Sequence, residues 1–145
     1  MILDVGCGDH PAGDVNVDLK HIGNWVKNFV QASIYLLPFR DGAFETVRCS
    51  NVLEHKGINV RKAVCELLRV CYYMLVVTVP SFLALRLHPR VHKDHARLFT
   101  GRQLKQLFSN YHHDLTVAHS SFIFNFPPLF YVPFRYTITV WKEKR

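Results

Sequence analysis

The feature that most constrains this 145-residue chain is a glycine turn that follows an apolar run at its start. Residues 2–8 read Ile-Leu-Asp-Val-Gly-Cys-Gly, and a second apolar run, residues 15–19, carries Asp18 near its end. An apolar run closed by Gly-x-Gly predicts a buried strand that leads into a tight turn, where the backbone approaches a ligand closely. A carboxylate at the tip of the next strand is placed to accept hydrogen bonds from a ribose diol. Together the two runs predict a site for a nucleoside-containing cofactor.

The residues after the two glycines discriminate between nucleoside cofactors. A dinucleotide fingerprint has a third glycine three positions after Gly8, but this chain has Pro11 there. Asp9 would repel a phosphate group at short range. A cationic guest fits better, because S-adenosylmethionine carries a sulfonium and an ammonium, and Asp4 and Asp9 bracket the turn. The sequence therefore predicts S-adenosylmethionine as the cofactor.

Charge is distributed unevenly along the chain. Residues 1–19 contain four acidic and no basic residues, whereas the whole chain has 18 Lys and Arg against 11 Asp and Glu, a formal net charge of +7. Net charge bears on association and solubility rather than on fold. Two interpretations stay open: a basic surface without a specific partner, and an anionic substrate, RNA included.

Length and composition predict one globular domain over residues 1–145, with enough apolar residues, 49%, for a core. No apolar run is long enough to cross a bilayer, and Met1 precedes the first predicted strand without a basic leader, which predicts a cytoplasmic protein. The four cysteines lack C-x-x-C spacing, so free thiols are expected and no metal site.

Strands and helices alternate along most of the chain. Strands are expected at 2–5, 15–19, 29–33, 46–50, 74–79, 115–124 and 134–142, and helices at 22–30, 60–70 and 100–108. Only six residues separate Gly8 from Val15, so the helix between the first two strands is absent or reduced to a turn. The alternation predicts an α/β fold with a doubly wound sheet and ligands at the carboxyl ends of its strands.

Six short motifs at residues 3–8, 16–18, 37–44, 51–55, 66–70 and 79–80 carry a family resemblance. With them the chain resembles the class I, Rossmann-like S-adenosylmethionine-dependent methyltransferases of the small type 11 kind. The resemblance covers most of the chain. It implies a mostly parallel sheet with an antiparallel last strand, and transfer of a methyl group to an oxygen, nitrogen or carbon nucleophile.

The resemblance also implies roles for individual residues. Asp18 would bind the ribose hydroxyls and Leu19 would lie against the adenine. Ser33 stands where the family usually has an acid that receives the adenine amino group, and a hydroxyl is a weaker acceptor. The residues assigned to the cofactor, the turn with its methionine part included, are Asp4, Gly6, Cys7, Gly8, Asp9, Asp18, Leu19, Ser33, Ile34 and Asn51.

His55 and Glu54 are the candidates for catalysis, because they follow the fourth strand and face the expected transfer site. A histidine is able to take a proton from an oxygen or nitrogen nucleophile. The alternative is a pair that only shapes the pocket, since methyl transfer depends chiefly on positioning. Three further residues, His92, His95 and Arg97, are candidates to face an anionic substrate, and a solvated basic loop is the alternative.

Three functions stay open at this point. The first is a methyltransferase that acts on a small molecule or RNA, the second an inactive S-adenosylmethionine-binding sensor or partner subunit, and the third an RNA-binding module that keeps the fold. Aromatic residues around the connection between the last two strands, from Phe122 to Tyr136, predict mostly core packing. Those that the connection exposes would suit a homodimer contact or a hydrophobic substrate pocket.

Overall fold

A seven-stranded sheet organises the residues that this computed structural model describes, which are 1–80, 97, 99–120 and 132–142. The strands are β1 (Ile2–Val5), β2 (Val15–Asp18), β3 (Phe29–Gln31), β4 (Phe44–Ser50), β5 (Cys71–Pro80), β6 (His112–Ser120) and β7 (Val132–Trp141). The helices of the described part are α1 (Val60–Val70) and α2 (Gly101–Leu107).

The strand order is β3-β2-β1-β4-β5-β7-β6. Strands β1 to β5 are parallel to one another, and β7 is antiparallel to both β5 and β6. The chain reverses its direction of winding between β1 and β4, and in such sheets ligands bind beyond the carboxyl ends of the strands at that point. The predicted doubly wound sheet with one antiparallel strand is confirmed.

The connection between β1 and β2, residues 6–14, contains no helix, as predicted. Parallel neighbours ordinarily need a crossover of about a dozen residues or more. Here the connection is shorter, and Asp4 of β1 holds it in place, because its Oδ2 accepts a hydrogen bond from the Ala12 amide at 2.9 Å. Gly13 permits the close approach, since a Cβ at that position would lie 2.8 Å from the Asp4 amide nitrogen.

A buried asparagine joins the segments that lead into β2 and β3. The Oδ1 of Asn16 accepts a hydrogen bond from the Gly13 amide at 3.0 Å. Its Nδ2 donates to the carbonyls of Gly13 and Lys27, at 3.1 and 3.0 Å. Side-chain hydrogen bonds of one β2 residue thus fix both connections where helices are missing.

The helix predicted over residues 22–30 does not form, and that prediction is wrong. Gly23 and Asn28 have φ angles of +105° and +49°, which no α-helix contains. The segment makes turns instead, with the Trp25 indole donating to the Ile22 carbonyl at 3.0 Å. Only Val26 of the stretch between β2 and β3 is buried, so its apolar spacing did not reflect a packed helical face.

Helix α1 covers one face of the sheet with the apolar stripe that its periodicity predicts. The side chain of Asn59 caps its start by accepting a hydrogen bond from the Lys62 amide at 3.1 Å. Lys142 donates to the carbonyls of Leu68 and Cys71 at its other end, where a cation is favourable. The buried residues of the helix are Ala63, Val64, Leu67, Leu68 and Val70.

The C-terminal half follows its predicted elements where it is described. Helix α2 is capped as expected by Thr100, which forms a capping box with Gln103. Tyr136 of β7 packs against the core, whereas the predicted aromatic residues between 121 and 131 lie outside the described residues. Within the described ranges, no helix has the length and apolar character needed to span a membrane.

Candidate functional site

The predicted glycine turn lies where β1 and β2 end side by side, with Val5 paired to Val17. Gly6 and Gly8 have φ angles of +73° and +48°, a left-handed conformation that residues with a side chain rarely adopt. The amides of Gly6 and Cys7 both donate to the Val17 carbonyl, at 2.8 and 3.1 Å. The turn therefore folds back onto the last residues of β2.

Asp18 ties the end of β2 to this turn. Its Oδ2 accepts a hydrogen bond from the Gly8 amide at 3.1 Å, and its Oδ1 accepts one from the Lys20 amide at 3.0 Å. An ionised carboxylate has about four acceptor sites, so about two remain for the donors of a ligand. A ribose diol brings two hydroxyl donors, and the numbers of donors and acceptors match.

The turn offers a ligand acceptors rather than donors. The amides of Gly6, Cys7 and Gly8 are all engaged within the chain, whereas a pyrophosphate needs amides that point at it. Asp9 is exposed beside them and adds a further acceptor. These hydrogen-bond acceptors fit the ribose, ammonium and sulfonium of S-adenosylmethionine, and they do not fit the phosphates of a dinucleotide.

Asp4 and Cys7 lie beneath the turn rather than on its surface, since both are buried. Burial raises the pKa of the Asp4 carboxyl, although the bond from the Ala12 amide and the charge of Arg48 act in the opposite direction. Burial, together with the charges of Asp18 and Asp4, raises the pKa of the Cys7 thiol to about 11, so the thiol is protonated. Both residues support the turn, and their direct contact with a cofactor stays a prediction.

The remaining cofactor candidates differ in how far their side chains are exposed to solvent. Leu19 is 68% exposed directly after Asp18, where a flat ring can pack on it. Ser33 follows β3, and its Oγ accepts a hydrogen bond from the Tyr35 amide at 3.3 Å. Ile34 is part of the buried core, so its side chain does not line the surface near the turn.

The glycine turn packs directly on the segment after β4, a contact that sequence reasoning missed. A Cβ on Gly6 would overlap the Cγ2 of Val52. Asn51, the residue before Val52, has a φ of +55°, and its amide donates to the Thr78 carbonyl of β5 at 2.8 Å. This segment leads straight to the predicted catalytic pair. No local pattern around Val52 signals the contact, because the two segments are far apart in sequence.

His55 is oriented by a backbone carbonyl. Its Nε2 lies 3.1 Å from the carbonyl oxygen of Asn51. A carbonyl only accepts hydrogen bonds, so the neutral ring carries its proton on Nε2 and Nδ1 is its basic nitrogen. The side chain is half-buried at the carboxyl end of β4, which is a suitable position for a general base.

Glu54, in contrast, is fully buried. Burial raises the pKa of its carboxyl to about 7, while a backbone hydrogen bond and the charge of Arg135 lower it in part. A carboxyl that is shielded from solvent does not meet a substrate directly. His55, which is half-buried, is therefore the stronger catalytic candidate, and a role of Glu54 in catalysis stays a prediction.

Glu54→Gln is expected to reduce the pH dependence of stability. The pKa of the carboxyl rises from an ordinary 4.5 to about 7 on folding, so folding favours its protonated form. The contribution of this carboxyl to the free energy of unfolding is complete at a pH below its unfolded pKa, and it is lost as the pH rises through its folded pKa. This costs the wild type about 2 kcal/mol between about pH 5 and about pH 8. Urea unfolding of both proteins at the two pH values measures the difference, and equal pH dependence would contradict the raised pKa.

Arg97 lies beside the predicted catalytic segment. Its amide donates to the Glu54 carbonyl at 3.1 Å, and its Nη1 donates to the Ile58 carbonyl at 3.2 Å. The side chain is exposed, and its role toward a substrate stays a prediction. The other two substrate-facing candidates, His92 and His95, lie outside the described residues.

Comparison with known sequences links the chain to one domain family. Residues 14–72 match the family model described as a methyltransferase domain. An uncharacterized protein of Methanocaldococcus jannaschii is 36% identical over 81 residues, which cover 48% of this chain and 35% of that protein. The chain thus spans about a third of the length of this curated relative.

Solved structures share the fold at low sequence identity. An S-adenosylmethionine-dependent methyltransferase from Archaeoglobus fulgidus superposes with a TM-score of 0.75 at 15% identity, covering 97% of this chain and 85% of that one. Magnesium protoporphyrin IX methyltransferase from Synechocystis PCC 6803, with bound SAH, has a TM-score of 0.67 at 14% identity, covering 97% and 73% of the two chains. The resemblance to class I, Rossmann-like methyltransferases of the type 11 kind is thereby confirmed: the chain has their fold over nearly its whole length and matches their domain model over residues 14–72.

Proposed function

We propose that the protein is an S-adenosylmethionine-dependent methyltransferase. The observation that carries the proposal is the turn after β1, whose amides are engaged within the chain while Asp18 keeps acceptor capacity beside it. When bound, the cofactor supplies an electrophilic methyl group on its sulfonium. Asp18 would hold the ribose hydroxyls, Leu19 would pack on the adenine, and the carbonyl side of the turn would face the methionine ammonium.

His55 would act on the methyl acceptor. Its ring is held through Nε2 by the Asn51 carbonyl, and as a general base the side chain would remove the proton of an oxygen or nitrogen nucleophile. Asn51 would contribute to the methionine side of the site through its position between the glycine turn and β5. The acceptor would be an anionic small molecule or RNA, which is supported by the net charge of +7 and by the exposed Arg97.

Two further proposals concern the protein as a whole. A cytoplasmic location is supported by the four cysteines, all of which are free thiols, as a reducing compartment requires. The homodimer contact through the aromatic C-terminal strands stays a prediction.

Transfer of labelled methyl groups from S-adenosylmethionine to a pool of RNA and a pool of small organic anions tests the proposed activity. We expect the wild-type chain to label one of the pools. We expect His55→Gln to label it about 100-fold more slowly, within the range that general bases contribute, with unchanged affinity for the cofactor.

The matched control is His112→Gln, which changes an exposed histidine at the start of the edge strand β6. This variant is expected to keep the wild-type rate. Equal rates for His55→Gln and the wild type would refute the role of His55. Cofactor binding without labelling of either pool would identify an inactive cofactor-binding protein instead.

A further inference from the structure

A cavity of about 660 Å³ lies between the connection after β4 and helix α2. Residues 57–61 form one wall, and Arg97 and Phe99 belong to the other. Both walls are joined to the predicted catalytic pair: the Ile58 amide donates to the His55 carbonyl at 3.3 Å, and the Arg97 amide donates to the Glu54 carbonyl. The cavity is therefore a direct neighbour of the proposed transfer site.

Two arginines, Arg61 and Arg97, line this cavity. Its described lining contains no carboxylate, and within the described ranges neither arginine forms a salt bridge. Among the described residues, the guanidinium of Arg97 bonds the Ile58 carbonyl through Nη1, and the other N–H groups of its planar fork are the ones that would bond a ligand. Such forks match the paired oxygens of a carboxylate or a phosphate.

The rest of the lining contains four apolar side chains beside the polar Asn59 and Gln103. Phe99 is buried, and Ile58, Val60 and Leu107 are partly buried against the core. A small inorganic anion would leave this apolar surface without a partner. A ligand with an apolar body and one anionic group would cover it and reach both arginines.

We propose that this cavity binds an organic anion, in which a phosphate or carboxylate is attached to an apolar body, and that this ligand is the methyl acceptor. The proposal rests on the proposed function, which it makes more specific. Arg61 and Arg97 would anchor the anionic group, and the apolar wall would hold the body of the molecule with its nucleophile toward His55.

Helix α2 supplies a matched comparison. Arg102 and Lys105 lie on this helix but line a different cavity, together with His113 of β6. Arg61→Glu and Arg102→Glu make the same change of charge in neighbouring helices. Arg61 stands in the first turn of α1, where an acidic residue is favourable for the helix, so Arg61→Glu is expected to fold.

Titration of the full chain with phenyl phosphate, benzoate and neutral benzyl alcohol, followed by amide NMR, tests the proposal. We expect the wild type to bind at least one of the two anions, at least about tenfold more tightly than benzyl alcohol. The ratio of the two anion affinities identifies the preferred group. Arg61→Glu is expected to weaken anion binding by about tenfold or more, and Arg102→Glu by less than about twofold.

Equal binding of the neutral probe, or equal losses in the two variants, would overturn the proposal. So would binding of a single-stranded RNA oligonucleotide without binding of either small anion. Calorimetry with S-adenosylmethionine on the same samples tests the proposed function separately from the proposed anion site. Anion binding without cofactor binding would support the cavity and refute the proposed function, whereas cofactor binding without anion binding would refute the cavity alone.

Discussion

Replacing Arg69 by methionine is expected to lower the free energy of unfolding by about 3 kcal/mol. Arg69 lies on helix α1, and its guanidinium bonds both carboxylate oxygens of Glu66 at 2.8 Å. It also donates to the carbonyls of Leu37 and Phe39, at 3.0 and 2.8 Å. One side chain thus fastens the long connection between β3 and β4 to the helix.

Burial decides which of these bonds matter. The side chain of Glu66 is 12% exposed, and its Oε1 also accepts a hydrogen bond from the Leu37 amide at 2.7 Å. Loss of Arg69 would leave this carboxylate charged and nearly buried without its cation, which is costly. The pair with Asp41 contributes little by comparison, because that side chain is 83% exposed.

Urea unfolding of Arg69→Met and the wild type measures this effect. Arg61→Met is the matched control, because it removes the same charge from an exposed position of the same helix. It is expected to change the free energy of unfolding by less than about 0.5 kcal/mol. Similar losses in both variants would show that the bonds of Arg69 to the connection do not stabilise the fold.

The sequence predicted the parts of the fold that rest on local patterns. The stripe of α1 recurs every three or four residues, and β5 is a continuous β-branched run closed by Pro80, so both elements follow from periodicity. The glycine turn follows from two glycines and an apolar run. The spacing between Gly8 and Val15 also predicted the missing helix, because too few residues are present to form one.

Contacts between distant segments could not be predicted in this way. Nothing near Gly6 indicates that Val52 fills the space beside it, and nothing near Asn16 shows that its amide would reach Lys27. Glu66 and Arg69 are spaced as a helical ion pair, but their bonds to the connection before β4 depend on the folded sheet. The helix predicted over 22–30 was wrong for the same reason. Its apolar spacing is a local pattern, and a local pattern does not show whether a core surface is present for those residues to pack against.

Asp18→Ala is expected to weaken S-adenosylmethionine binding by about 100-fold. The variant removes the acceptors proposed for two ribose hydroxyls, and hydrogen bonds to a charged group contribute about 1.5–3 kcal/mol each. Asp18→Asn keeps the shape and one oxygen, so its loss is expected to be smaller, about tenfold. The exposed Asp114 on β6, at the far edge of the sheet, is the matched control, and Asp114→Ala is expected to bind as the wild type does.

Calorimetric titration of these four proteins with S-adenosylmethionine tests the central claim that the acceptor-rich turn beside Asp18 is the cofactor site. Asp18 also accepts a hydrogen bond from the Gly8 amide, so its replacement could affect folding. Thermal unfolding of each sample, followed by circular dichroism, ensures that only folded chains are compared. We expect binding by the wild type and Asp114→Ala, a partial loss in Asp18→Asn and a loss of about 100-fold in Asp18→Ala. Equal binding by folded Asp18→Ala and wild type, or no binding by the wild type, would contradict this claim.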